Sequence, residues 1–457
     1  MVILLIPIDG LSDAGRGVLA SSAWVAVWWM FEVLPLAATS LLPIVLFPLS
    51  GGLPLTETVP GYAHKLILLL LGGFLLARAV ERWNLHRRAA LTVLNRTGAA
   101  PDRLLLGFMG ATALLSMWIS NTATTVMMLP IGMAVIQTIN DRPETPADER
   151  ATFGRALMLS IAYAASIGGT ATLIGSPTNL VFSGAAEELL GVEVSFLDWL
   201  RFGLPFSLVL LGLCWWYLTR LAFRLKGERS SQETERALRD QLRALGSLTR
   251  PEARTLVVFG VVAFLWIFGK YTLRPYLPAL EDTIVGVAGA IALFLIPAGT
   301  DSNEKLLNWE QARGLPWGVL LLFGGGLTIA AGFDKSGLAV WLGEQLSALG
   351  GLPIFLLVLS VVAIVNFLTE LTSNVATAAV FVPLLAALGT SLGVDPQMLM
   401  AGACVAASCA FMLPVATPPN AVVFGSGYLE IRDMLRVGIW LNLVSIGLLS
   451  LYVYWFF

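Results

Sequence analysis

Ser120-Asn121-Thr122 returns 253 residues later as Ser373-Asn374-Val375, each time in the middle of an apolar stretch. The match runs on from Ser120 to Pro130 and from Ser373 to Pro383 with identical serine-to-proline spacing. A second pair of polar breaks follows, Gly175-Ser176-Pro177-Thr178-Asn179 and Ala416-Thr417-Pro418-Pro419-Asn420. These side chains are hydroxyls and amides. Where a helix is broken, the positive end at an N-terminus and its free N–H groups attract anions. Free carbonyls, joined by Ser, Thr and Asn oxygens, suit a hard cation such as Na⁺. Polar breaks in corresponding positions of two apolar halves point to the binding site of a secondary transporter.

No Lys or Arg occurs between Leu104 and Ile139, between Ala156 and Leu200, or between Ile354 and Ile431. An anion held there must rest on backbone dipoles, hydroxyls, amides and co-bound cations, so Na⁺ coupling is physically reasonable. Ser, Thr and Gly also serve simply to let membrane helices pack closely. Four breaks in two matched pairs weigh against that plainer reading. Glu370, three residues before the second tip, is the only carboxylate in its hairpin. An intramembrane acid is a functional candidate, and proton coupling and a structural partnership with the tip amides both stay open for it. Cys214, Cys404 and Cys409 sit in apolar segments without metal-ligand spacing and read as small buried hydrophobes.

The elements that must position these residues follow from composition. Of 457 residues, 57% are hydrophobic and 13% charged, against about 25% charged in soluble domains, which makes this an all-α polytopic membrane protein. Five clusters hold 22 of the 28 Lys and Arg: Arg78 to Arg103, Arg142 to Arg155, Arg220 to Arg254, Lys305 to Arg313 and Arg432 to Arg436. The positive-inside rule places all five on the cytoplasmic face. The N-terminal stretch 1–10 is too short to span alone, since spanning takes about 20 residues, and it carries no signal-peptide pattern.

Helices are expected near 17–35, 36–52 and 62–83, with an amphipathic surface helix over 82–96. Segment 103–140 reads as a re-entrant hairpin with its tip at Ser120-Asn121-Thr122, and 152–188 as a helix broken at Gly168 to Asn179. A turn at mid-membrane depth survives only where protein or a water cavity satisfies its backbone. A helix near 200–224, a charged cytoplasmic loop 225–253, helices near 254–271 and 283–299, an amphipathic stretch 303–314 and a helix near 315–332 come next. The second half repeats the first: hairpin 353–392, broken helix 397–425, last helix 433–457. Counting spans between charge clusters, the first hairpin enters from the cytoplasm and the second from outside, so the repeats are inverted.

With these residues in hand, the chain resembles the divalent-anion:sodium symporter family, carriers of dicarboxylates, citrate and sulfate. The resemblance rests on the paired motifs Ser120-Asn121-Thr122 and Thr372-Ser373-Asn374-Val375, on the two later breaks, and on Trp28 to Pro35 and Leu41 to Pro43. It covers nearly the whole chain. It implies a homodimer of about eleven spanning segments per protomer in a bacterial inner membrane, surrounded by membrane lipid, with no nucleic acid partner. It further implies a mobile transport domain that moves elevator fashion against a scaffold. The scaffold would begin with 1–100, and 101–199 would be the first transport repeat. Within 200–340, helix 200–224 would travel with the transport domain and helices 254–340 with the scaffold, and 341–457 would be the second repeat.

On the matching positions, the family's first Na⁺ site would use Ser116, Ser120, Asn121 and the backbone at Gly169. The second would use Thr369, Thr372, Asn374 and the backbone at Ala416. Substrate would meet Ser120, Asn121, Thr122, Thr170, Ser373, Asn374, Val375, Thr417 and Pro418. Ser116 lies one helical turn before Ser120, so both oxygens can face one ion. Val375 departs from the family pattern, standing where a second threonine hydroxyl is expected, and losing a donor at a buried site costs about 1 kcal/mol or more. The function implied is Na⁺-coupled symport of a C4-dicarboxylate such as succinate, malate or fumarate. Alternatives within the same fold are a sodium-independent exchanger and a citrate or sulfate carrier. An intramembrane enzyme is disfavoured because no His-Glu-x-x-His, Gly-x-Ser-x-Gly or paired intramembrane aspartates occur. A channel fits closed hairpin tips less well than alternating access does.

Overall fold

The computed structural model describes residues 8–140, 147–225, 232–300, 304–346 and 351–457. Most of the N-terminal stretch 1–10 therefore lies outside the described residues. Among the described residues every regular element is helical, and the only β feature is an isolated bridge between Pro297 and Lys305.

Helix α1 (Asp13–Met30) starts at Ser12, whose side chain accepts from Gly15 N. A short turn leads to α2 (Leu42–Leu49), and α3 (Lys65–Arg82) opens on the His64 ring, which accepts from Leu66 N. The amphipathic α4 (Leu85–Thr97) lies next, as the pattern over 82–96 predicts. The first hairpin consists of α5 (Pro101–Ser116) and α6 (Asn121–Asn140), and the helix leaves off at its tip between residues 117 and 120. Helices α7 (Ala147–Gly169) and α8 (Pro177–Leu190) are the two parts of the first broken helix.

Helix α9 (Phe196–Trp216) begins with a reciprocal cap between Ser195 and Asp198. There follow α10 (Gln232–Ala244), α11 (Arg250–Thr272), α12 (Asp282–Leu295), α13 (Trp317–Lys335) and α14 (Leu338–Leu346). The second hairpin is α15 (Ile354–Thr369) and α16 (Asn374–Leu392), the second broken helix α17 (Pro396–Ser408) and α18 (Pro418–Phe424), and α19 (Ile431–Phe456) closes the chain.

Two elements differ from the sequence expectation. The charged region 225–253 holds α10, which packs on α4 and α6 with Leu238 and Thr234 buried. Its charge density hides an apolar edge too narrow to register as a membrane segment. Arg88 of α4 fastens the region after α10, donating to Glu252 Oε1 at 2.9 Å and to Gly246 O at 3.0 Å. The amphipathic stretch expected over 303–314 shrinks to a single turn, Trp309–Ala312.

Seven helices among the described residues are long and apolar enough to cross a membrane. The hairpin arms α5 and α15, with 16 residues each, fall short of that length because each stops at a polar tip. The two repeats interlock. Helix α8 packs on α16 and α17 of the second repeat, while α18 packs on α6 and α7 of the first. Each break is also backed by a glycine on a later helix: Gly203 of α9 lies against the Thr170 and Ala171 carbonyls, and Gly438 of α19 against Phe411 and Met412. A side chain at either glycine would collide with the break.

The charge distribution predicts which face each loop occupies. Ser247→Cys should react with an impermeant maleimide only from the cytoplasmic side, and Leu277→Cys only from outside. The native thiols of Cys214, Cys404 and Cys409 are all buried and give little background. Labelling of position 247 from outside would reverse the topology.

Candidate functional site

A break in a spanning helix exposes carbonyls that water cannot reach, and both breaks solve this with an asparagine. Asn179 Nδ2 donates to Gly169 O at 2.9 Å and to Thr172 O at 2.7 Å. Asn420 Nδ2 donates to Ala410 O at 3.2 Å and to Leu413 O at 3.0 Å. The acceptors stand ten and seven residues before the asparagine in both cases, so the repeat extends to individual hydrogen bonds.

The tips match as closely. Ser116 Oγ lies 2.6 Å from Asn121 Oδ1 and 2.7 Å from Ala165 O, and its single proton serves one of them at a time. Thr369 Oγ1 likewise lies 2.8 Å from Asn374 Oδ1 and 2.9 Å from Ala407 O. In each repeat a hydroxyl at the end of the first hairpin arm thus gathers the tip asparagine and a carbonyl of the neighbouring broken helix. The two broken helices also touch each other. Tyr163 Oη donates to Phe411 O at 2.9 Å, and the Thr178 and Ser408 hydroxyls lie 2.8 Å apart.

Oxygens converge where the first cation site is expected. Gly169 packs so tightly on the Asn121 amide that a methyl there would collide with it. A Cβ on Gly175 would sit 2.6 Å from Gly169 O and 3.1 Å from both Ser116 O and Thr172 Oγ1. This oxygen-lined cradle has the chemistry of a hard-cation site. Beside the second break, Asn366 Oδ1 and Asn420 Oδ1 are buried without a hydrogen-bond partner among the described residues, which leaves two oxygens available to a cation. Thr372 turns elsewhere, its hydroxyl 2.7 Å from that of Thr377 and 3.0 Å from Leu368 O. Ala416 is buried in the second break, at the position corresponding to Gly175.

The tips also present donors. Among the described residues no hydrogen bond engages the Nδ2 amides of Asn121 and Asn374 or the hydroxyls of Thr122 and Ser373, and all four residues are at least partly exposed. Helices α6 and α16 begin at those asparagines, so their positive ends coincide with the free donors. Ser120 is exposed, and its Oγ accepts from Ala123 N at 3.3 Å. Val375 is half-buried beside Asn374, and Pro418 is exposed, while Thr417 caps α18 by accepting from Asn420 N at 3.2 Å. Thr170 stands apart. It is fully buried, with its hydroxyl on Ile167 O at 2.8 Å and its carbonyl taking the Trp199 indole at 3.0 Å.

Glu370 accepts from Phe411 N at 2.8 Å, from Met412 N at 3.0 Å, from Leu413 N at 3.0 Å and from Asn442 Nδ2 at 2.7 Å. One carboxylate therefore ties the second tip, the second break and α19 together. At the corresponding place in the first repeat no charge is used: the Thr172 hydroxyl donates to Met117 O, and the Thr170 and Ala171 N–H groups donate to Ile167 O and Gly168 O. The sequence marks Glu370 and the break residues Asn179 and Asn420, but gives no sign of Asn442 or Tyr163. For the break asparagines, the constant offset from each to its glycine or alanine partner was the available signal.

Among the described residues no group of His, Cys, Asp or Glu has the geometry of a metal site. The whole chain, residues 1–457, matches the model of the sodium:sulfate symporter transmembrane region. The chain belongs to the divalent-anion:sodium symporter family. It is an integral membrane transporter. It is similar to the sodium-dependent dicarboxylate transporter SdcS of Staphylococcus saprophyticus, 44% identical over 99% of this chain and 88% of the relative. The SdcS protein of Staphylococcus aureus is 45% identical over 96% of this chain and 86% of its own length. The fold is shared with the YdaH transporter of Alcanivorax borkumensis, at TM-score 0.63 and 16% identity over 95% of this chain and 98% of that one. It is shared also with MtrF of Neisseria gonorrhoeae, at TM-score 0.61 and 13% identity over 98% and 96%.

Glu370→Gln keeps one acceptor oxygen but turns an NH₂ toward backbone N–H groups that need an acceptor. It is expected to destabilise the protein by about 1–3 kcal/mol, read as a lower Tm of the detergent-solubilised protein. An unchanged Tm would mean that the carboxylate is not what holds the second break.

Proposed function

We propose that the chain is a sodium-coupled symporter of a C4-dicarboxylate of the succinate, malate and fumarate class, working in a bacterial inner membrane. The observation that carries this reading is the paired arrangement of oxygen-gathering hydroxyls, Ser116 and Thr369, beneath tip asparagines whose amide donors remain free. Oxygens beneath the tip suit Na⁺. Donors at the tip suit carboxylate groups. With no Lys or Arg in these segments, bound Na⁺ supplies the positive charge that makes a dianion tolerable at a dehydrated site. Dicarboxylate is favoured over sulfate by the names and the 44–45% identity of the SdcS relatives.

The proposed first Na⁺ site comprises Ser116, Ser120, Asn121 and Gly169, and the second Thr369, Thr372, Asn374 and Ala416. Thr122, Ser373 and Val375 would line the substrate space with the two asparagines. Thr417 and Pro418 would close it from the side of α18. Thr170, whose hydroxyl is spent on Ile167 O, would act through the backbone of the first break. Na⁺ is a transported ion here rather than a resident cofactor.

Movement is proposed to carry the interlocked unit of α5 to α9 and α15 to α19 as one body. The interlocking favours this, since neither repeat's break keeps its backing if the other repeat stays behind. A homodimer with the scaffold helices at its centre would hold the fixed part in the membrane.

In proteoliposomes, radiolabelled succinate should enter under an inward Na⁺ gradient and not under an equal K⁺ gradient. Entry without Na⁺ that requires preloaded dicarboxylate would instead establish an exchanger, and no succinate entry at all would direct the search to citrate and sulfate. Val375→Thr restores a hydroxyl beside Asn374 and is expected to change the order in which other dicarboxylates compete with succinate, while Na⁺ dependence persists. An unchanged order would place Val375 away from the substrate.

A further inference from the structure

At its arginine-rich end α9 runs into a π-turn, Tyr217–Ala222, where Phe223 N reaches back to Leu218 O at 3.1 Å. Such turns widen a helix locally and are frequent at functional sites. Between this turn, the first half of α19 and the start of α7 lies a cavity of about 630 Å³. It plays no part in the site described above.

One side of the cavity is charged. Arg155 Nη1 lies 3.3 Å from Asp433 Oδ1, and Arg155 Nε is buried with no hydrogen-bond partner among the described residues. Arg436 also lines the cavity, is exposed, and has no ion-pair partner among the described residues. Two guanidinium groups against one carboxylate leave a net positive charge, and their planar forks match phosphate oxygens.

The remaining lining is mostly apolar, chiefly Leu213, Trp216, Val437, Trp440, Leu441 and Val444. Trp216 and Trp440 are 49% and 58% exposed, on two helices long enough to span the membrane. Tryptophans beside arginines at the end of a span mark the level of lipid headgroups. Basic pockets between spanning helices on the cytoplasmic side bind anionic headgroups. A free anion would satisfy the guanidiniums and leave the apolar wall uncovered. A lipid covers both.

We propose that this groove binds an anionic glycerophospholipid of the surrounding bilayer. Its phosphodiester accepts hydrogen bonds from Arg436 and from Arg155 Nε, and its acyl chains lie along Trp216, Trp440 and Val444. The occupant spans the gap between α9 and α19, the helices that carry Gly203 and Gly438 against the two breaks.

The test is native mass spectrometry of the full chain in detergent, titrated with phosphatidylglycerol or phosphatidylcholine. Wild-type protein should retain phosphatidylglycerol about fivefold better, the ratio expected of one arginine at a membrane surface. Arg436→Gln should abolish the preference, whereas Arg432→Gln, on the same helix but outside the cavity, should keep it. Val444→Trp fills the apolar part without touching charge and should lower retention of both lipids. Equal retention of the two lipids by the wild type overturns the proposal. So does equal loss in the Arg436 and Arg432 variants, which would mean diffuse surface charge. Displacement of the lipid by inorganic phosphate overturns it as well, since the site would then be one for free anions.

Discussion

Backbone polar groups at membrane depth must find partners inside the protein, because hydrocarbon offers none. This chain breaks two spanning helices and turns two hairpins back inside the bundle, so the constraint applies at four places at once. Asn179 and Asn420 satisfy the carbonyls of the breaks, and Ser116 and Thr369 gather those beside the tips. Everything else about the site follows from these bonds. They fix where helix ends point, which oxygens converge and which tip donors are left over.

The two repeats solve the same problem with unequal chemistry. The first break is held by neutral groups, with Thr172 on Met117 O and the Trp199 indole on Thr170 O. The second is held by the Glu370 carboxylate, which reaches three consecutive N–H groups and Asn442. A carboxylate accepting several backbone N–H bonds is strongly held, so it stiffens the second tip against its break. Those N–H groups are occupied by Glu370 and are not available to an anion. The donors left free therefore lie on the tip asparagines and their neighbours, where the proposed substrate would meet them, and not on the backbone at 411–413.

Much of this was legible from the sequence because the repeat is written in residue types that membrane helices use sparingly. The tips at Ser120 and Ser373 and the breaks at Gly175 and Ala416 announce themselves as polar islands, and the observed helix ends fall beside them. What was not legible are bonds between residues far apart in the chain. Nothing in the spacing of Glu370 points to Phe411, Met412, Leu413 and Asn442. The family resemblance implies that Thr170 meets substrate, yet its hydroxyl folds back on Ile167 O. Helix α10 was hidden for a different reason: its buried edge is short, and charge dominates the surrounding composition.

The central claim is that both oxygen cages serve Na⁺ and that substrate depends on them together. The most direct measurement is the Na⁺ activation curve of succinate uptake at fixed membrane potential, for wild type, Ser116→Ala and Thr369→Ala. Two coupled cages predict a sigmoidal curve for the wild type, and a weaker apparent Na⁺ affinity in each variant. A hyperbolic wild-type curve, or a curve unmoved by either substitution, would contradict the account.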